Sequence, residues 1–130
     1  MNQSPTIVFV CEHGAAKSVI AAAYFNRLAA ETDSDVRAIA RGTNPDQELS
    51  SKAITGLRED GLTPTESIPQ KLSLADLEST QQIITFCELP AEYQQKASVE
   101  HWDSVPPVSE DYQKARDAIL AKINVLMNNI

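Results

Sequence analysis

The sequence predicts an α/β fold: a single-domain, doubly wound, four-stranded parallel sheet flanked by helices. Three observations predict it. Short apolar, β-rich runs alternate along the chain with segments of helical composition, as βαβ units require. The first such run, residues 6–10, is apolar almost throughout, as a strand covered on both faces should be. The 130 residues, 42% hydrophobic and 22% charged, suit one domain over residues 1–130 with a sizeable core rather than a disordered segment.

The elements follow in order. After the strand at 6–10, residues 18–31 carry alanines that let a helix pack closely on a sheet, and Asp33-Ser34-Asp35 ends it. Residues 36–40 alternate weakly and read as a second strand. Gly42-Thr-Asn-Pro45 is a turn, with proline blocking further pairing. A helix is expected from about Gln47 to Asp60, with Gly61 as its C′ residue. Residues 63–70 hold two prolines and form a loop. Ser73 caps a short helix over 74–79. A third strand spans 83–86 and Cys87 closes it. Residues 88–98 are irregular, with room for one helical turn. Residues 99–102 are a short fourth strand, and 103–107 a proline-stiffened loop. A closing helix over 109–128 places Ala115, Ile119, Ile123 and Leu126 near one face.

Composition narrows the function. A formal net charge of −7 argues against nucleic acid and anionic membranes as partners. No apolar run is long enough to span a bilayer. The polar start, Met1-Asn-Gln-Ser-Pro5, does not look like a signal peptide, so a cytoplasmic location is expected. Two widely separated cysteines make no disulfide framework and fit a reducing compartment.

The run Thr6-Ile-Val-Phe-Val-Cys11-Glu-His-Gly-Ala-Ala-Lys17-Ser18 carries the chemistry. A strand that feeds a tight loop opening a helix presents free amides and the positive end of a helix dipole to one point, a site for anions. Cys11 at the front of the loop is placed to act as a thiolate nucleophile, since helix N-termini and nearby cations favour that form. Lys17 at its far end is a counter-charge for a bound oxyanion. Cys11 and Cys87 both fall at carboxyl ends of strands, where such sheets bind ligands, and the loop at 102–107 follows another.

These residues resemble the low-molecular-weight protein tyrosine phosphatases and the thioredoxin-coupled arsenate reductases that share their fold. That family carries Cys-x5-Arg-Ser/Thr after its first strand, and this chain has Cys11-x5-Lys17-Ser18 there. Ala40-Arg-Gly-Thr43 is similar to the family's Ala-Gly-Thr segment. Residues 83–87, and Glu100-His101-Trp102 before a proline-bearing loop and a final helix, are similar to the reductases. The likeness runs over nearly the whole chain.

Two departures stand out. Lys17 replaces the arginine, keeping the charge but losing the planar fork that clamps two oxygens. The family's Asp-Pro pair, whose aspartate is the general acid, is absent, and Pro106-Pro107 stands roughly in its place. Asp103, a few residues earlier, is the remaining candidate to protonate the leaving oxygen.

The resemblance implies an oxyanion-binding loop of Glu12, His13, Gly14, Ala15, Ala16 and Lys17, with Cys11, Lys17, Ser18 and Asp103 as catalytic residues. Gly14 stands where the family has asparagine, and both tolerate positive φ. Glu12 opposes a dianion unless it points out of the loop, and His13 would offset it as a cation or hydrogen-bond donor. Ser18 either donates to the thiolate or serves as an N-cap. Cys87 is a possible redox partner that would form a disulfide with Cys11 and then require a reductant such as thioredoxin. The third cysteine of the reductase relay is missing.

Three functions compete. The first is a cysteine-dependent phosphatase acting on phosphotyrosine, as in a phosphotyrosine protein, or on a small phosphate ester. The second is an arsenate reductase using Cys11 and Cys87. The third is a catalytically impaired, anion-binding regulatory protein. A nucleotide-binding loop is disfavoured, because Cys11 and Ala16 occupy both glycine positions of Gly-x4-Gly-Lys-Ser. No metal or other cofactor is implied, as the cysteines and histidines lack ligand spacing.

Overall fold

The computed structural model describes residues 6–78, 80–94 and 98–128. The polar N-terminal residues 1–5, Ser79 at the end of the expected short helix, and residues 95–97 of the expected irregular stretch lie outside the described residues. The elements are β1 (Thr6–Cys11), α1 (Lys17–Glu31), β2 (Arg37–Gly42), α2 (Ser51–Glu59), β3 (Thr80–Thr85), α3 (Ala91–Gln94), β4 (Ser98–His101) and α4 (Tyr112–Asn128), with a 3₁₀ turn at Ala75–Leu77 before β3.

The four strands form one sheet in the order β2-β1-β3-β4, and every pairing is parallel. The expected α/β architecture is therefore the observed one. Strand alternation divides the core into two layers. Ile7 and Phe9, with Ala38, Ala40 and Ile84, join a cluster built from α1, α2 and α4. Val8, Val10 and Ile83 face the other way, onto Leu72, Leu77, Leu89 and Tyr93. That is why β1 reads as a continuous apolar run: neither of its faces meets water.

The helix boundaries show which local signals prevail. α2 starts at Ser51 rather than Gln47, because Ser50 is its N-cap and accepts the Ala53 amide at 3.3 Å. Its end is the expected one. Gly61 has φ +80°, and the amides of Gly61 and Leu62 return to the carbonyls of Arg58 and Leu57, a Schellman closure. α4 starts three residues late, with Asp111 accepting the Lys114 amide at 3.1 Å. Ala115, Ile119, Ile123 and Leu126 are its buried face, as their spacing predicts. Ser73 does cap the segment after it, exchanging side-chain bonds with Asp76, but the described helix there is one 3₁₀ turn. Trp102 is buried against Phe9 and Phe86, whereas His101 is exposed.

Asp60 ties three helices together. At the C-cap of α2, its carboxylate accepts from Tyr24 of α1, from Tyr112 of α4 at 2.9 Å and from Arg116 of α4 at 3.1 Å. Burial pushes its pKa up, but these donors outweigh it and hold the carboxyl below its ordinary value. Desolvation first, and then the Asp60 carboxylate, raise Tyr24 to about 12.

Asp60→Asn is expected to lower stability at pH 7 by about 1.5–3 kcal/mol, the range for a charge-assisted bond, measured by urea unfolding. Because the folded-state pKa is depressed, the wild-type contribution is present above the unfolded carboxyl value of about 3.9 and is lost as pH falls through the folded value. The gap between wild type and variant should therefore close on acidification below about pH 4.

Candidate functional site

β1 runs into the sheet's carboxyl edge and ends on Cys11. β1 lies between β2 and β3, and the chain crosses from β1 to opposite sides for those two neighbours. This is the switch point at which open α/β sheets form a crevice. A cleft of about 350 Å³ lies there, lined by residues that include Cys11, Glu12, His13, Ala15, Ala16 and Lys17. Asp46, Ser50, Phe86, Cys87 and Pro107-Val108-Ser109 complete its walls.

The loop between β1 and α1 is held from outside. The amides of Thr43, Asn44, Asp46 and Ser50 donate to the carbonyls of Cys11, Glu12, His13 and Ala15, at 3.2, 2.7, 3.0 and 2.9 Å. The carbonyls are thus consumed by the segment after β2. Among the described residues, the amides of residues 12–17 enter no backbone hydrogen bond outside the strands and helices. α1 also opens without a side-chain cap, since its N-cap residue is Ala16. Donors without partners at a helix start are the feature that anion sites use.

Two glycines allow this geometry. Gly14 has φ +60°, and a Cβ there would sit 2.8 Å from the Gly42 nitrogen. A Cβ on Gly42 would sit 2.7 Å from the Gly14 nitrogen. The backbones of the loop and the end of β2 touch with no room for a side chain on either.

Cys11 is buried, with Sγ 3.1 Å from Oγ of Ser18, which is itself fully buried. Ser18 is the second residue of α1, so the N-cap alternative does not hold. Lys17, the first residue of α1, lines the cleft and forms no ion pair among the described residues. Glu12 sits on the exposed rim with its carboxylate 3.0 Å from Nε2 of His13. Nδ1 of His13 is 3.2 Å from the carboxylate of Asp46. The carboxylate beside the thiol is thus turned to the rim and partnered.

Cys87 follows the end of β3 and lines the same cleft, with Sγ 3.5 Å from Oγ1 of Thr85. Burial is the main force pushing its thiol pKa up. Asp103 is not brought to the site. Its side chain is 78% exposed, its carboxylate is 4.0 Å from His101, and it is not among the lining residues. The expectation that it replaces the missing general acid finds no support in this placement. The fourth strand ends at His101, and the chain reaches the cleft only at Pro107.

Asp46 and Ser50 are the lining residues that sequence reasoning missed. Their signal was the turn after β2, which must emerge beside the end of β1 in a parallel pair. Phe86 and Val108 were equally invisible as walls, being ordinary apolar residues until the strand ends are aligned.

Residues 6–120 match the family described as "Low molecular weight phosphotyrosine protein phosphatase". No curated protein sequence matches the chain. Among solved structures, YfkJ from Bacillus subtilis is similar at a TM-score of 0.81 and 19% identity, covering 99% of this chain and 96% of its own. An arsenate reductase from Archaeoglobus fulgidus is similar at 0.76 and 25% identity, covering 94% and 98%. A low-molecular-weight protein tyrosine phosphatase from T. tengcongensis is similar at 0.78 and 20% identity, covering 98% and 100%.

Gly42→Ala is expected to cost about 1–3 kcal/mol through overpacking against the loop, read by urea unfolding. In the folded fraction it should also change the alkylation rate of Cys11, because the methyl group pushes directly on Gly14.

Proposed function

The chain belongs to the low molecular weight phosphotyrosine protein phosphatase family, and on that premise we propose that it is a cysteine-dependent phosphatase acting on phosphotyrosine or a small phosphate ester. The observation that carries this reading is the placement of Cys11 Sγ, 3.1 Å from the buried Ser18 hydroxyl, in a cleft beneath an uncapped helix start. The Cys11 thiolate attacks phosphorus in line and displaces the alcohol, leaving a phosphocysteine that water hydrolyses. The Ser18 hydroxyl donates to the thiolate. Loop amides and the Lys17 ammonium hold the phosphoryl oxygens as charge redistributes. Lysine does this as a point charge, without the two parallel bonds of arginine. Phe86, Pro107 and Val108 give the group beyond phosphorus an apolar wall.

A second reading, arsenate reduction, is favoured by one observation: Cys87 lines the same cleft as Cys11. In that reaction the Cys11 thiolate bonds to arsenic and an arsenate oxygen leaves as water after protonation. Cys87 then attacks the Cys11 sulfur, arsenite leaves with the electron pair, and a dithiol such as thioredoxin reduces the resulting disulfide.

Cys11→Ser should abolish hydrolysis of p-nitrophenyl phosphate. Lys17→Met should lower kcat/KM by roughly 10²-fold, as expected for losing a charge-assisted bond of about 3 kcal/mol. Arsenate-dependent consumption of reductant that disappears in Cys87→Ser, with ester hydrolysis retained, would select the second reading. No aryl phosphate hydrolysis by the wild-type protein would leave the regulatory, anion-binding reading.

A further inference from the structure

A phosphatase of this kind must give a proton to the departing oxygen, and the loop before α4 offers none at the cleft. Pro107, Val108 and Ser109 are what it contributes there. The titratable groups lining the cleft are Cys11, Glu12, His13, Lys17, Asp46 and Cys87. Cys11 is the nucleophile in that reading, and Lys17 is the cation for the oxyanion. Burial raises the Cys87 thiol, which makes it a poor donor. Glu12 and Asp46 are both carboxylates on the rim, and both face one imidazole.

That imidazole is His13, with Nε2 3.0 Å from Glu12 and Nδ1 3.2 Å from Asp46. Both ring nitrogens thus face a carboxylate oxygen, and the ring is set in orientation at the mouth of the cleft. Asp46 holds His13 at two points, through the side-chain pair and through its own amide, which donates to the His13 carbonyl at 3.0 Å. Glu12, by contrast, is the neighbouring residue and meets the ring through its exposed side chain alone. Nitrogen Nδ1 is therefore the end of the ring anchored by a residue that is also tied to the backbone, and Nε2 the end held only by one exposed side chain, which a ligand must displace.

Resting on the phosphatase reading, we propose that His13 is the general acid and base of this site and that Asp46 is its positioning residue. In the first step the Cys11 sulfur bonds to phosphorus, the P–O bond to the leaving group breaks, and its electron pair takes the proton from Nε2, giving the free alcohol and a neutral imidazole. In the second step water attacks phosphorus, Nε2 takes a proton from it, and the P–S bond breaks with its pair returning to sulfur. Inorganic phosphate leaves, and thiolate and imidazolium are restored. The proton donor has thus moved from the loop before α4 to the nucleophile loop itself.

The test uses leaving groups of different basicity on the full-length chain. Phenyl phosphate needs a proton on its departing oxygen, and 2,4-dinitrophenyl phosphate does not. His13→Ala should lower kcat/KM for phenyl phosphate by about 10²–10³-fold, within the usual contribution of general acid catalysis, with only a small loss for the dinitrophenyl ester. His13→Gln, which keeps a donor of similar length but cannot cede a proton, should show the same split. Asp46→Asn should show a weaker version confined to phenyl phosphate. An equal loss on both esters, or no loss, in both His13 variants of an active enzyme overturns this assignment and leaves the phosphatase reading intact. So does finding the split in Asp103→Asn instead. Wild-type protein that hydrolyses neither ester overturns both.

Discussion

The contact between the Gly14 and Gly42 backbones is the constraint on which the site depends. It forces the loop after β1 down onto the end of β2, closer than any side chain would permit. That approach lets the segment after β2 take the carbonyls of Cys11, Glu12, His13 and Ala15 in four hydrogen bonds. With the carbonyls fixed to one side, the amides are left for a guest on the other. The proposed function asks of this acidic chain an anion site made from dipoles fixed in the backbone rather than from a surplus of basic side chains.

Gly42 is itself held from the far side. Its amide donates to Gln70 at 2.8 Å, and its carbonyl accepts from Leu72 at 2.9 Å, so the strap after the proline-bearing loop pairs with the edge of β2. Arg41, mostly buried, anchors that strap through Glu66 at 2.5 Å and Asp76 at 3.0 Å. Removing one partner of such a pair leaves a buried charge without its complement. The rigidity of the loop therefore extends two layers behind it, from Arg41 to Gly42 to Gly14. On the opposite wall, Lys52 of α2 donates to the Ser109 carbonyl at 2.5 Å and fixes where the loop before α4 meets the cleft.

The rim balances charge locally. Glu12 and Asp46 would repel a dianion, but each faces His13, while Lys17 is left without an ion pair among the described residues. Solvent weakens contacts this exposed, and their worth lies in orientation more than in stability. The aromatic group of Phe9, Phe86 and Trp102 beneath the cleft, with ring centroids 5.6–6.5 Å apart, gives the rim a stiff apolar base.

The sequence by itself determined the alternation of strands and helices, the strand that ends on Cys11, the loop-to-helix junction with Lys17 and Ser18, and the buried face of α4. Each is written in short-range terms: period-two or period-3.6 hydrophobicity, a cap residue, a glycine with positive φ. The tertiary structure decided the rest. Only strand order, which carries no local signal, brings the end of β3 beside the end of β1 and sets Cys87 and Phe86 in the cleft. Only the parallel register with β2 delivers Asp46 to His13. The distance along the chain from Asp103 to the final helix gave no hint that this carboxylate would face solvent away from the cleft while Pro107 and the buried Val108 line it. Contacts between residues remote in sequence depend on how whole elements pack, and packing is a property of the assembled core rather than of any one segment.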